Sequence, residues 1–176
     1  MDLWQKIIKT PDEGSRELVA VYKDRLFLAA RMMCGDDHLA EDLVFRTFSR
    51  VIAKISSFRP NTNFYNWIYT IMINFRRMDV RHASGSPVVY VEEPPEVPDE
   101  RTPFAEIAAK ADHAAIREAV SELSDPLKEV VLLRYFEDFP LEAIAATLAL
   151  PMGTVKSRLN AAKAKLALRL AGRIER

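Results

Sequence analysis

The chain has 176 residues, 49% of them hydrophobic and 28% charged, which is typical of a folded protein and excludes an intrinsically disordered one. Its 25 basic and 25 acidic residues cancel, so an overall basic protein of the kind that coats nucleic acid is also excluded. No stretch approaches the roughly 20 apolar residues of a membrane span, and the N-terminus lacks a basic stretch followed by an apolar run. We therefore expect a cytoplasmic protein without membrane insertion, with room for one domain or two small ones.

Apolar residues at helical spacing predict three helices in residues 1–83. The stripe of the first comprises Leu18, Val21, Tyr22, Leu26, Ala29 and Met33. The second is predicted to start near Asp36 and Asp37, with the stripe Leu39, Leu43, Phe48, Val51, Ile52 and Ile55. The third is predicted to start near Asn63 and to end in arginines, with the stripe Phe64, Trp67, Ile68, Ile71, Phe75 and Met78.

Cys34, at the end of the first predicted helix, is the only cysteine. It cannot form an internal disulfide, and together with His38 it supplies only two of the four ligands that zinc usually takes. The sequence contains no glycine-rich phosphate loop and no nucleophile with an obvious base. We therefore expect no metal, no cofactor and no enzymatic activity.

Aromatic residues and asparagines are concentrated between Phe58 and Asn74, a composition that resembles surfaces on which unpaired bases stack. Phe64 and Trp67 have the spacing of core residues. Tyr65, Asn66 and Tyr69 are expected to project to other faces of the helix. The segment is therefore predicted to combine core positions with exposed base-contacting ones.

A linker is predicted at residues 84–103, where prolines and acidic residues replace helical periodicity. The prolines are Pro87, Pro94, Pro95, Pro98 and Pro103, and the acidic residues are Glu92, Glu93, Glu96, Asp99 and Glu100. The expected fold is all-α, with two small helical domains at residues 1–83 and 104–176 on either side of a mobile linker.

Four helices are predicted after the linker, at Phe104–Leu123, at Pro126–Phe136, and on both sides of a turn at residues 149–153. The short helix before that turn has the apolar stripe Leu141, Ile144, Ala145 and Leu148. The helix after it begins at or just after Thr154, with the stripe Val155, Leu159, Ala162, Leu166 and Leu170. Two helices joined by a tight turn predict a helix-turn-helix over residues 141–166.

The outer face of the last helix is predicted to be polar and basic, although the protein as a whole is neutral. Its candidate DNA-contacting residues are Thr154, Lys156, Ser157, Arg158, Asn160 and Lys163. Lys and Arg can donate to guanine, Asn can pair with adenine, and hydroxyls can bind phosphates. The alternative is a solvated basic face without a partner.

Two motifs carry a resemblance to a known family. Residues 40–44 (AEDLV), followed by residues 64–71 (FYNWIYTI) and Asn74, resemble region 2 of the extracytoplasmic-function (ECF) sigma factors. Residues 153–159 (GTVKSRL) resemble their region 4. The resemblance implies a sigma factor that directs core RNA polymerase to specific promoters and aids strand opening.

The resemblance also implies roles for individual residues and partners. The β′ clamp helices of the polymerase are expected to bind Glu41, Asp42, Val44 and Phe45. The loop from Ser56 to Asn63 is expected to capture a base flipped out of the minus-10 element. The residues implied in minus-10 recognition are Phe58, Asn61, Asn63, Tyr65, Trp67, Asn74 and Arg77. The helix that starts at Thr154 is expected to read the minus-35 element, and the polymerase β flap and an anti-sigma factor are further expected partners.

The sequence departs from the family pattern at several positions. Phe45 and Arg46 stand where many members have Gln-Glu, Ala161 replaces a common arginine, and Ala149 replaces a frequent glycine. Two alternatives stay open. One is a sigma-like decoy that binds an anti-sigma factor, which Phe45 and Arg46 support, and the other is a helix-turn-helix repressor, which would need a dimerising element.

Overall fold

The computed structural model describes residues 1–84 and 113–174, and every regular element in these two segments is helical. The all-α prediction is confirmed. The chain divides between Val88 and Val89 into two compact units. Almost all of the predicted linker, and the first part of the helix predicted from Phe104, lie outside the described residues. The domain boundaries therefore stay predictions.

The N-terminal unit contains four α-helices. They are α1 (Leu3–Lys9), α2 (Pro11–Cys34), α3 (Asp37–Lys54), which continues into a 3₁₀ turn at Ile55–Ser57, and α4 (Phe64–Ser84). Helix α2 ends at Gly35, whose φ of 71° is easily adopted only by glycine. Asp36 then caps α3 by accepting a 2.9 Å hydrogen bond from the Leu39 N–H. Asn63 caps α4 in the same way, with its Oδ1 3.0 Å from the Asn66 nitrogen.

The core of this unit lies where α2 and α4 pack against α3. Its fully buried side chains include Leu18, Leu26, Leu43, Ile68, Met72 and Ile73. Each such side chain contributes about 1.5 to 3 kcal/mol of apolar burial. Most of the two predicted stripes on α2 and α3 is buried, but Val21 is 55% exposed and Leu39 is 59% exposed.

The predicted apolar stripe of α4 is wrong, because a different face of the helix is turned toward the core. The side chains that face the core are those of Tyr65, Ile68, Tyr69, Met72 and Ile73. Phe64 and Trp67 are only half-buried, and Met78 is 44% exposed. The difference arises because Phe64 and Trp67 lie on a second side of α4, where they contact Phe58.

The C-terminal unit, in its described part, also contains four α-helices. They are α5 (His113–Ser121), α6 (Asp125–Val131), which continues as a π-helical turn at Leu132–Phe136, α7 (Leu141–Leu148) and α8 (Met152–Ile174). Helix α8 packs against the other three. The predicted α8 stripe is confirmed, since its five side chains are all buried. No helix in the two described segments is long and apolar enough to cross a membrane.

The turn between α7 and α8 has the compact geometry that a helix-turn-helix requires. Ala149 has a left-handed backbone (φ 53°, ψ 47°), and the Leu150 N–H donates to the Ala145 carbonyl over 3.0 Å. This conformation costs a non-glycine residue about 1 kcal/mol. Helix α8 begins at Met152, so Thr154 lies in its first turn rather than capping it.

Candidate nucleic-acid interface

The loop that joins α3 to α4 begins at a buried aromatic side chain. Phe58 is 7% exposed, and its ring centre lies 5.8 Å from that of Trp4, 4.9 Å from that of Phe64 and 5.4 Å from that of Trp67. The Phe64 and Trp67 rings are stacked, with an angle of 19° between their planes. Phe58 was expected to contact DNA, but the structure places its ring inside this aromatic cluster, beneath the loop.

Residues 59–63 of the same loop are exposed. The loop turns through a 3.0 Å hydrogen bond from the Thr62 N–H to the Arg59 carbonyl, and the Thr62 hydroxyl donates to the same oxygen. Asn61 therefore presents its amide to solvent above the aromatic cluster, and Asn63, whose Oδ1 caps α4, presents its NH2 group. Such amides can hydrogen-bond to the edges of unpaired bases.

Tyr65 and Tyr69 face the core, contrary to the sequence-based expectation. They are 7% and 0% exposed. The Tyr65 ring stacks on Tyr22, with 5.3 Å between ring centres, and the Arg25 guanidinium lies 4.2 Å from the Tyr65 ring centre. Tyr65 therefore joins α4 to α2 and does not offer its ring to a base.

The outer side of α4 continues from the loop as a polar surface. Trp67 and Asn74 are seven residues apart, which places them on one face of the helix. Asn74 is exposed, and Arg77 is half-buried. Of the residues expected to contact the minus-10 element, Asn61, Asn63 and Asn74 are thus exposed and Trp67 and Arg77 half-buried, whereas Phe58 and Tyr65 are buried.

The four residues expected to bind polymerase all lie on α3, and three of them are exposed. Glu41 and Asp42 are exposed, and Phe45 is 71% exposed. Val44 is only 6% exposed, because it faces the core of the unit. Val44 is therefore a packing residue, and the exposed candidate surface consists of two carboxylates and one large apolar ring.

Arg46 does not add its charge to this surface. Its Nη1 and Nη2 atoms lie 3.0 and 2.6 Å from the two carboxylate oxygens of Asp79 on α4. Its Nε lies 2.7 Å from Asp42 Oδ2. The hydrogen bonds that Arg46 donates to the Asp79 carboxylate raise the pKa of Arg46 above its ordinary value. The arginine that departs from the family pattern thus joins α3 to α4 instead of repelling a partner.

Removing this contact is expected to weaken the N-terminal unit. We expect Arg46→Ala to lower its free energy of unfolding by about 1 kcal/mol, because the pair is bidentate but a third exposed. Asp79→Ala should have a similar effect, and the double variant should lose less than the sum of the two. Denaturant unfolding measures all three. Arg31→Ala, which breaks the exposed pair with Asp37, is the control and should change stability by less than about 0.5 kcal/mol. Strict additivity of the Arg46 and Asp79 effects would contradict the coupling.

The outer face of α8 is less basic than the sequence suggests. Lys156 is exposed, and Thr154, Ser157, Asn160 and Lys163 are half-buried.

Arg158 was expected to read bases, but it is only 4% exposed. Its place in the sequence gives the reason, since position 158 comes three residues after Val155 and four before Ala162, beside the apolar stripe of the helix. Ala161, which replaces an arginine common in the family, is 8% exposed, so this position is also in the interior.

Buried charged residues are a feature of the C-terminal unit that sequence reasoning did not find. They are Lys128, Glu129, Glu137 and Arg158, all of them less than 9% exposed. The burial of Lys128 and Glu129 could not be predicted from helical periodicity. Asp125–Val131 is a short helix that is buried on most of its circumference, so it has no separate apolar face.

A helical unit with an exposed asparagine loop, and a second unit with a helix-turn-helix, form the architecture expected of a two-domain transcription initiation factor. Comparison with known proteins agrees. Residues 18–85 match the family model for sigma-70 region 2, and residues 113–166 match that for sigma-70 region 4.

Individual relatives are similar over most of their length. The chain is 32% identical to the ECF RNA polymerase sigma factor EcfG of Rhodopseudomonas palustris, covering 85% of this chain and 80% of that protein. It is 26% identical to the ECF sigma factor SigW of Bacillus subtilis, covering 89% and 88%. The sigma factor RpoE of Bartonella quintana, solved with the anti-sigma factor NepR, superposes with a TM-score of 0.66 at 26% identity, covering 89% and 96%. The chain belongs to the ECF sigma factors of the sigma-70 family, a family of transcription initiation factors.

Proposed function

We propose that this ECF sigma factor opens and selects promoters through the loop at residues 59–63 and through α8. The observation that carries the proposal is the exposed pair Asn61 and Asn63, which the chain displays over an aromatic cluster within the segment that matches region 2. Because its family acts with RNA polymerase on the bacterial chromosome, we place its activity in the cytoplasm.

Strand opening requires a source of free energy that binding can supply. Flipping a base out of the duplex costs a few kcal/mol. Stacking on an aromatic side chain returns about 1 to 3 kcal/mol per base, and hydrogen bonds from amides add to this. Asn61 and Asn63 are the proposed hydrogen-bonding groups, and the half-buried ring of Trp67 is the proposed stacking surface. Asn74 and Arg77 lie further along α4, toward the duplex upstream.

The minus-35 element is the proposed ligand of α8. Its exposed Lys156, with Thr154, Ser157, Asn160 and Lys163, forms the candidate contact set. Arg158 is left out of this set because its side chain is buried in the structure without DNA. A small set of contacts predicts modest affinity and a shallow dependence of binding on salt.

The exposed face of α3 is the proposed polymerase contact. Glu41 and Asp42 offer carboxylates beside Phe45, an exposed ring that can anchor a partner in an apolar pocket. We propose the β′ clamp helices as that partner, and the β flap as the partner of the C-terminal unit. An anti-sigma factor is a further proposed partner, since RpoE of Bartonella quintana was crystallised with one.

The proposal is tested with a pool of promoters in which the bases of both elements are randomised. The full chain is mixed with core RNA polymerase, and the transcripts are sequenced to give the base preference at each position. We expect Asn61→Ala to flatten the preference at one or two minus-10 positions about tenfold, the loss of one well-placed hydrogen-bonded contact. Asn160→Ala is the matched control, and should instead change minus-35 preferences. The proposed function would be refuted if no promoter-specific transcripts appeared. It would also be refuted if the protein bound duplex DNA only when polymerase was absent.

A further inference from the structure

The first helix of the chain lies outside the segment that matches sigma-70 region 2, which begins at residue 18. Helix α1 has only seven residues (Leu3–Lys9). An isolated helix this short is unstable in water, so its stability must come from packing. The contacts that it makes therefore indicate why it is there.

Helix α1 is held tightly against the start of α2. Ile7 is 2% exposed, and Gly14 allows the two backbones to approach closely. A Cβ atom on Gly14 would lie 2.5 Å from the Ile7 nitrogen and 2.7 Å from the Lys6 carbonyl carbon. Lys6 Nζ lies 2.7 Å from carboxylate oxygens of both Glu13 and Glu17, and these hydrogen bonds raise its pKa to about 12.

The helix brings one large side chain to the aromatic cluster under the loop. The ring of Trp4 lies 5.8 Å from that of Phe58, at an angle of 56°. Helix α1 also contacts the 3₁₀ turn at Ile55–Ser57, which immediately precedes Phe58. Phe58 is thus enclosed on the α4 side by Phe64 and Trp67, and on the α1 side by Trp4.

We propose that α1 is a positioning element for promoter recognition: Trp4 holds Phe58, and thereby fixes the conformation of the loop at residues 59–63 that reads the minus-10 base. The inference rests on the proposed function of that loop. Asn63 fixes the loop at its α4 end through the cap of that helix. Trp4 fixes the other end, through a ring that touches Phe58 but need not touch DNA.

A preorganised loop matters because base selection depends on the difference in binding free energy between the correct base and the other bases. A loop that must be ordered when DNA binds loses part of its interaction free energy to that ordering. The loss falls on the correct base more than on others, because only the correct base makes the full set of hydrogen bonds with both asparagines. Displacing Trp4 should therefore reduce discrimination at the minus-10 position, and not merely the amount of active protein.

The experiment uses the same randomised promoter pool, with the full chain and core polymerase. Trp4→Ala removes the ring, whereas Gly14→Ala keeps it but forces α1 away from α2. Both should reduce the base preference at minus-10 about fivefold or more. This factor corresponds to the lower end of what the stacking of one base on an aromatic side chain contributes to binding. Both should leave the minus-35 preference unchanged. Trp4→Phe should retain most of the discrimination, and Ile8→Ala, at a position 49% exposed on the same helix, is the control and should retain all of it.

The minus-35 preference serves as an internal reference. A purely structural role for Trp4 would reduce the total transcript count and leave the minus-10 preference unchanged, and this result would overturn the inference. Should Trp4→Ala fail to fold, the comparison of Gly14→Ala with Ile8→Ala decides in the same way. If Asn61→Ala flattens the minus-10 preference while neither α1 variant does, the proposed function stands and the inference fails. If Asn61→Ala has no effect either, both fail.

Discussion

Phe58→Ala is expected to lower the free energy of unfolding of the N-terminal unit by about 3 kcal/mol, at the lower end of the range for a buried phenylalanine. The side chain is 7% exposed and three other rings surround it. Truncation leaves a cavity between α1, α4 and the loop. The loop can relax into part of this space, and that relaxation is why the lower end of the range is expected.

The chain provides a selective probe for this measurement. Its only two tryptophans, Trp4 and Trp67, both have their rings within 6 Å of the Phe58 ring centre. Denaturant unfolding followed by tryptophan fluorescence therefore reports on this unit rather than on the C-terminal one. The matched control is Phe45→Ala, which removes the same side chain from a position that is 71% exposed. It should change stability by less than about 0.5 kcal/mol. Equal losses for the two variants would contradict the assignment of Phe58 to the core.

Phe45→Ala also separates folding from partner binding. A variant that keeps the stability of the wild type but binds core polymerase more weakly would assign the ring to the interface. This separation bears on the decoy alternative, whose support came from Phe45 and Arg46. Arg46 is engaged with Asp79 and Asp42 inside the unit. The change of charge at that position is therefore internally balanced and no longer favours a protein that avoids polymerase.

The sequence predicted best those features that local rules determine. Asp36 before α3 and Asn63 before α4 have side chains that accept hydrogen bonds from the helix N-terminus, and the structure shows both bonds. The α8 stripe was predicted correctly because this helix has a single apolar face, which repeats from Val155 to Leu170. Local chemistry and one-sided amphipathicity are readable without tertiary information.

The rotation of α4 was not predictable in the same way. This helix carries apolar or aromatic residues on more than half of its circumference, so periodicity alone cannot show which side faces the core. The answer depends on Phe58 and Tyr22, which come from other parts of the chain and contact the two rings at the start of α4, Phe64 and Tyr65. The burial of Arg158 was not predicted for a related reason. Its type suggested DNA binding, although it comes three residues after Val155 and four before Ala162, beside the apolar stripe of the helix.

Arg158→Ala is accordingly expected to destabilise the C-terminal unit, and not to change its base preference. The unit buries two basic and two acidic side chains, those of Lys128, Arg158, Glu129 and Glu137. Truncating a buried side chain of this size, and removing the hydrogen-bonding groups that it carries in the interior, costs about 2 to 5 kcal/mol. Since a small helical domain has a total stability of about 5 kcal/mol or somewhat more, a large part of the stability of the unit should be lost.

The matched comparison is Lys156→Ala, two residues earlier on the same helix and exposed to solvent. Lys156→Ala should leave the thermal unfolding of the C-terminal unit unchanged, and should lower DNA affinity together with the salt slope by about one phosphate contact. Arg158→Ala should reduce minus-35-dependent transcription on every sequence of the promoter pool in the same proportion, because loss of the folded unit does not distinguish between bases. Circular dichroism and hydrogen exchange at α6 measure the stability of the variants. If Arg158→Ala instead folds as the wild type does and alters the preference at a single minus-35 position, the side chain must leave the interior when DNA binds, and the base-reading role expected from its sequence is restored.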